Sequence, residues 1–182
     1  MRNLDIRQIM EFHNCKYPVL MIDYVEEVQP GKYCKAYKNF TYDEWFFPAH
    51  FEDDPNVPSS IMLEALSQTM LMSFLTIPGN EKEHTACLRI KNVEFKRKII
   101  PGERLDIVAE LKSARGGVYT GIVVGTVNNE PAVSADYTMG IPDVIRQFSP
   151  NGGVLRRKNH NSNWYIKSEK LNSDRGYAYA VA

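Results

Sequence analysis

From residue 86 onward the chain alternates apolar and polar side chains with a period of two. Leu88 and Ile90 alternate with Arg89 and Lys91, and Leu105, Ile107, Ala109 and Leu111 alternate with Asp106, Glu110 and Lys112. Val118, Thr120, Ile122, Val124 and Thr126 share one face of the next run. Half-buried β-strands carry this pattern. Pro101-Gly102, Gly116-Gly117 and Asn128-Asn129 punctuate it, the last two as compact hairpin turns. Four antiparallel strands are therefore expected, ending near Ile141. Upstream, residues 4–12 place Leu4, Ile6, Ile9, Met10 and Phe12 near a helical period, with Asn3 or Asp5 available as a cap. After Pro18, the β-rich run 19–28 is separated from 32–41 by Pro30-Gly31, which predicts a first hairpin.

One segment breaks this regime. Between Pro58 and Pro78-Gly79 lies SSIMLEALSQTMLMSFLTI, long enough for a helix of four or five turns and apolar around most of its circumference. A helix of that kind belongs inside a protein. Strands and helices do not alternate, so a doubly wound α/β fold is excluded. The pattern predicts an α+β arrangement, a curved antiparallel sheet wrapped around one long buried helix.

Composition adds limits. The chain has 182 residues, 43% of them hydrophobic, enough for one sizeable core. Its 22 Lys+Arg against 22 Asp+Glu argue against a general nucleic-acid binder. The balance is uneven along the chain. Residues 142–182 hold seven basic and three acidic groups, leaving fifteen basic and nineteen acidic groups before them. The composition also shifts to Asn, Gly, Lys and Arg past Pro142, so a domain of residues 1–141 followed by a basic extension of 142–182 is expected. No apolar run approaches the ~18 residues of a membrane span, and no export signal is visible, which predicts a cytoplasmic protein without membrane insertion. Cys15, Cys34 and Cys87 are too scattered for a metal pair and are expected as buried thiols. Phosphate-cradling and nucleophile motifs are absent. Neither metal nor cofactor is expected.

The candidate chemistry lies in FFPAHFEDDPNVPSSIMLEALSQ, residues 46–68. His50 stands among Phe46, Phe47 and Phe51, and alone carries little weight. Glu64 interrupts the apolar helix. It either faces solvent from the first turns, where the positive helix end favours a carboxylate, or sits against the interior, where an unpaired charge is costly.

A set of positions running in order along the chain resolves the choice by resemblance. Tyr17-Pro18, Asp23, Pro30-Gly31-Lys32, Lys38-Asn39, Phe46-Phe47, His50-Phe51, Pro58 and Leu63-Glu64-Ala65-Leu66-Ser67-Gln68 resemble the FabZ-type (3R)-hydroxyacyl-[acyl-carrier-protein] dehydratases. Val93-Glu94-Phe95-Lys96-Arg97 and Pro101-Gly102-Glu103 continue the match. The resemblance spans about residues 4–141 and implies a hot-dog fold that converts a (3R)-3-hydroxyacyl thioester on an acyl carrier protein to the trans-2-enoyl thioester, in fatty acid or polyketide-type synthesis. It implies that His50 is the base and Glu64 the donor to the leaving hydroxyl, contributed by opposite subunits of a homodimer, alone or as a trimer of dimers. The backbone N–H of Ser59 would receive the thioester carbonyl. Met62, Phe47 and Met70 are expected to line an acyl tunnel, and Lys96, Arg97 and Lys98 to attract the acidic carrier protein.

Two departures keep other readings open. Ser59 stands where the family has glycine, and Glu52-Asp53-Asp54 replace small and basic residues. The alternatives are a hot-dog acyl thioesterase and a catalytically inactive acyl-binding or scaffold subunit. The basic extension, with Trp164, Tyr165, Tyr177 and Tyr179, is expected to contact the acidic loop of a neighbouring subunit or a partner domain.

Overall fold

The computed structural model describes residues 1–148 and two short strands beyond them. In chain order the elements are β1 (Arg2–Leu4), α1 (Ile6–Phe12), β2 (Tyr24–Gln29), β3 (Tyr33–Asn39), a single 3-10 turn (Phe47–Ala49) and α2 (Ser59–Leu75). β4 (Ala86–Phe95), β5 (Arg104–Arg115), β6 (Val118–Val127), β7 (Glu130–Gly140), α3 (Pro142–Phe148), β8 (Arg156–Lys158) and β9 (Asn163–Tyr165) follow. Seven strands form one antiparallel sheet in the order β1-β2-β3-β5-β6-β7-β4. The sheet wraps α2, whose residues Ala65 to Leu75 are all buried. This is the α+β arrangement read from the apolar pattern.

Local chemistry explains the boundaries. The hairpins β5–β6 and β6–β7 turn on Gly116-Gly117 and Asn128-Asn129, and all four residues have positive φ, as the favoured two-residue hairpin turn requires. Asp5 caps α1 by accepting from the backbone N–H groups of Arg7 and Gln8, while the Gln8 side chain accepts from Asp5 N–H. Gly121 in β6 leaves room for α2: a Cβ there would lie 2.5 Å from the Glu110 carbonyl oxygen and 2.7 Å from Met70.

The first hairpin begins later than expected. The run 19–23 is not strand, because Met21 N–H donates to Gln68 Oε1 and Val19 O accepts from Gln68 Nε2. The helix side chain has taken the place of a neighbouring strand. The three thiols are not uniformly buried either: Cys34 is, whereas Cys15 is partly exposed and Cys87 lies exposed on β4. β4 is the free long edge of the sheet, exposed on both faces. Past Pro142, where no period is readable, α3 turns back onto the sheet, Val144 packing on the core. The expected contact of the basic extension with the acidic loop involves side chains outside the described residues.

His13, the C-cap of α1, is 3% exposed. Its Nδ1 accepts from Cys15 N–H at 3.2 Å, and its Nε2 has no partner among the described residues. Burial pushes its pKa down from 6.5 to about 4. As pH falls below 6.5 the unfolded chain takes up this proton while the folded chain does not, so stability is lost between pH 6.5 and 4 and levels off below. A gap of this size corresponds to about 3 kcal/mol. Urea midpoints measured from pH 7 to 4 should fall more steeply for the wild type than for His13→Asn, whose side-chain oxygen can still accept from Cys15 N–H.

Candidate active site

His50 ends the 3-10 turn and its N–H donates to Phe47 O at 3.2 Å. The loop then folds back so that Asn56 N–H donates to His50 O at 2.9 Å, and Val57 N–H to Ile99 O at 2.8 Å. His50 Nδ1 lies 3.1 Å from Asn56 O. A carbonyl oxygen only accepts, so Nδ1 carries a hydrogen, and in the neutral ring Nε2 is then the nitrogen with the lone pair. Phe51, joined to His50 by a cis peptide bond, stacks on the imidazole at 4.5 Å. This partly buried imidazole is thus oriented as an acceptor.

Glu64 stands in the second turn of α2 and is partly buried. Its Oε1 accepts from Gln68 Nε2 at 2.6 Å and its Oε2 from Ser67 Oγ at 3.2 Å. Gln68 is fully buried and at the same time holds the backbone of Val19 and Met21. It positions Glu64, a role the sequence reading did not assign. Its spacing of four residues from Glu64, one turn along a helix face, was the available signal. Burial and then the Glu64 carboxylate raise the pKa of the Cys15 thiol, and Glu64 also contributes to the rise at Cys87 and Tyr137. Among the described residues, His50 and Glu64 of one chain share no hydrogen bond or ion pair.

Ser59 is the first residue of α2, after Pro58 at the N-cap, and it is absent from the positive-φ residues. A glycine is not required for this backbone conformation. The N–H groups of Ser59 and Ser60 point out of the first turn, where no helical acceptor exists.

A model of the FabA-like domain matches residues 14–136. The 3-hydroxyacyl-[acyl-carrier-protein] dehydratase FabZ of Clostridium acetobutylicum is 36% identical over 139 residues, covering 76% of this chain and 99% of the relative. The chain belongs to the FabZ-type family of hot-dog dehydratases. The enzyme of the same name from Bacillus cereus is also 36% identical, over 77% of this chain and 97% of its own. Among solved structures, the dehydratase heterocomplex ApeI:P of Xenorhabdus doucetiae shares the fold with a TM-score of 0.65 at 13% identity, over 77% of this chain and 95% of that one. Cj0977, a sigma28-regulated virulence protein of Campylobacter jejuni, does so at 0.57 and 16%, over 74% and 87%.

Within this family's fold the other expected site residues fall in two groups. Phe47, Met62 and Met70 lie buried in the cluster between α2 and the sheet. In the single chain they are packed core residues. The expected carrier-binding cations are already paired: Lys96 with Glu94 at 3.1 Å, Arg97 with Glu103 at 2.5 Å, and Lys98 with Asp54. The Lys98–Asp54 pair also neutralises one charge of the acidic loop.

Proposed function

We propose that the chain dehydrates a (3R)-3-hydroxyacyl thioester borne by an acyl carrier protein to the trans-2-enoyl thioester, with His50 as base and Glu64 as acid. The observation that carries this assignment is the His50 Nδ1–Asn56 O contact, which commits Nε2 to accepting a proton. In the elimination, His50 Nε2 takes the proton from C2. The electron pair of that C–H bond becomes the C2–C3 double bond, and the C3–O bond breaks. Glu64, which enters this step in its protonated form, supplies the proton that makes the leaving hydroxide water. Charge developing on the thioester oxygen is met by the Ser59 N–H at the positive end of α2. Proton exchange with solvent then resets both groups. The acyl chain would run along Phe47, Met62 and Met70, the two methionine side chains shifting out of their packed positions to admit it.

The two groups are proposed to meet across a homodimer. β1 covers one edge of the sheet with three residues, whereas β4 presents ten at the other. Leu88, Ile90, Val93 and Phe95 on it are 37–45% exposed. Such an edge calls for a partner strand, and a second β4 supplies one. Whether three such dimers associate is read from sedimentation.

The reading is tested with the 3-hydroxybutyryl thioester of an acyl carrier protein. Dehydration gives the absorbing enoyl thioester with no free thiol, a thioesterase releases thiol, and a silent acyl-binding subunit does neither. For the carrier surface, Lys96→Glu is expected to weaken carrier binding several-fold at low salt and little at high salt. Unchanged affinity at low salt would remove Lys96 from that surface. No described helix is long and apolar enough to cross a membrane.

A further inference from the structure

Tyr137 has the largest of the fully buried side chains among the described residues, 1% exposed. It stands on β7 between Gly121 of β6 and Ile90 of β4, and its hydroxyl donates to Leu63 O on α2 at 2.8 Å. Phenylalanine would fill the same space without burying an oxygen, and a buried hydroxyl is unfavourable unless it is bonded. The helix does not need the phenol to satisfy that carbonyl, because Leu63 O is also the regular acceptor for Ser67 N–H one turn on. The contact is therefore an additional one, and its location gives it meaning. The Leu63 carbonyl and the Glu64 N–H belong to one planar peptide group. A donor fixed on the first fixes the plane from which the Glu64 side chain departs. Gln68 and Ser67 hold the carboxylate from the following turn of the same helix. Tyr137 adds a constraint from the sheet, on the strand that pairs with the free edge β4.

We propose that Tyr137 is a positioning residue for dehydration, anchoring the turn that carries Glu64 to β7 so that the carboxyl is held in its productive orientation. This rests on the assignment of Glu64 as the acid. A displacement of a catalytic group by about 1 Å can cost up to 10²-fold in rate, so Tyr137→Phe should lower kcat by about ten- to a hundredfold with KM unchanged.

The test is a double-mutant cycle with the 3-hydroxybutyryl thioester of an acyl carrier protein, measured per folded dimer below the melting range. Wild type, Tyr137→Phe, Glu64→Gln and the double variant are compared. If Tyr137 acts through Glu64, the double variant is no slower than Glu64→Gln alone. A wild-type kcat in Tyr137→Phe, or an equal further loss in the Glu64→Gln background, overturns the proposal. Should Tyr137→Phe prove insoluble, Tyr137→Leu takes its place in the cycle under the same criteria. Failure of the underlying assignment is separately visible, since it appears as an inactive wild type or a fully active Glu64→Gln.

Discussion

His50→Ala and Glu64→Gln are each expected to lower kcat for dehydration by about 10²- to 10⁴-fold while leaving the fold in place. The partly buried imidazole ends a 3-10 turn, and among the described residues it bonds a loop carbonyl and stacks on the exposed Phe51, so its removal leaves the buried core untouched. Gln at position 64 keeps the length and the hydrogen-bonding edge of Glu, and it retains an oxygen to accept from Gln68 or Ser67. In the proposed mechanism, what each substitution removes is a proton acceptor or donor needed only as the C–H and C–O bonds break. Both losses should therefore fall on kcat, with KM for the carrier-bound substrate little changed. A raised KM at unchanged kcat would reassign either residue to substrate binding.

Lys38→Met is expected to destabilise the fold by about 3 kcal/mol, the lower end of the range for removing one partner of a buried ion pair. The Lys38 side chain is 9% exposed and its ammonium reaches Glu44 at 2.6 Å, Asn39 O at 2.8 Å and Asp23 at 3.3 Å. Removing the cation leaves two carboxylates facing one another. Asp23 is about one-third exposed, which places the cost at that lower end. The consequence reaches the site through Glu44, whose carbonyl accepts from Phe47 N–H at 3.2 Å at the start of the turn that ends on His50. Urea denaturation should show a lower midpoint with the slope retained, and kcat should fall in the protein that remains folded. A midpoint within error of wild type would show that the cluster is only a surface feature.

The parts of the fold legible in the sequence were those written in long or chemically distinctive patterns. The apolar circumference of α2 marked it as central, and Gly116-Gly117 and Asn128-Asn129 marked hairpins because few other pairs adopt positive φ at both positions. β1, with three residues, is too short to display a period. The apolar run 19–23 looked like strand because hydrophobicity does not reveal that a buried glutamine will bond its backbone. In β4 the alternation is interrupted by irregularities between Cys87 and Arg89 and between Lys91 and Glu94, so reading it as a regular strand would put some side chains on the wrong face.

The site divides in the same way. His50 and Glu64 stand out in the sequence as candidates because the family motif names their residue types. The acceptor that selects the His50 tautomer is a backbone carbonyl, and any residue at position 56 would supply one. Tyr137 lies 73 residues from Glu64 in the chain, and only the pairing of β7 within the sheet brings it beside the helix. The backbone part of the question at Ser59 is answered by geometry, since a right-handed helical start accepts any L-residue.

The central claim is that each reaction centre takes His50 from one chain and Glu64 from its partner. It is tested most directly by mixing the two inactive variants. His50→Ala and Glu64→Gln chains, unfolded together and refolded in equal amounts, form mixed dimers in which one of the two sites is intact. Random pairing of chains predicts recovery of about a quarter of wild-type turnover. A mixture as inactive as its components, with chain exchange verified by mass, would contradict the shared site.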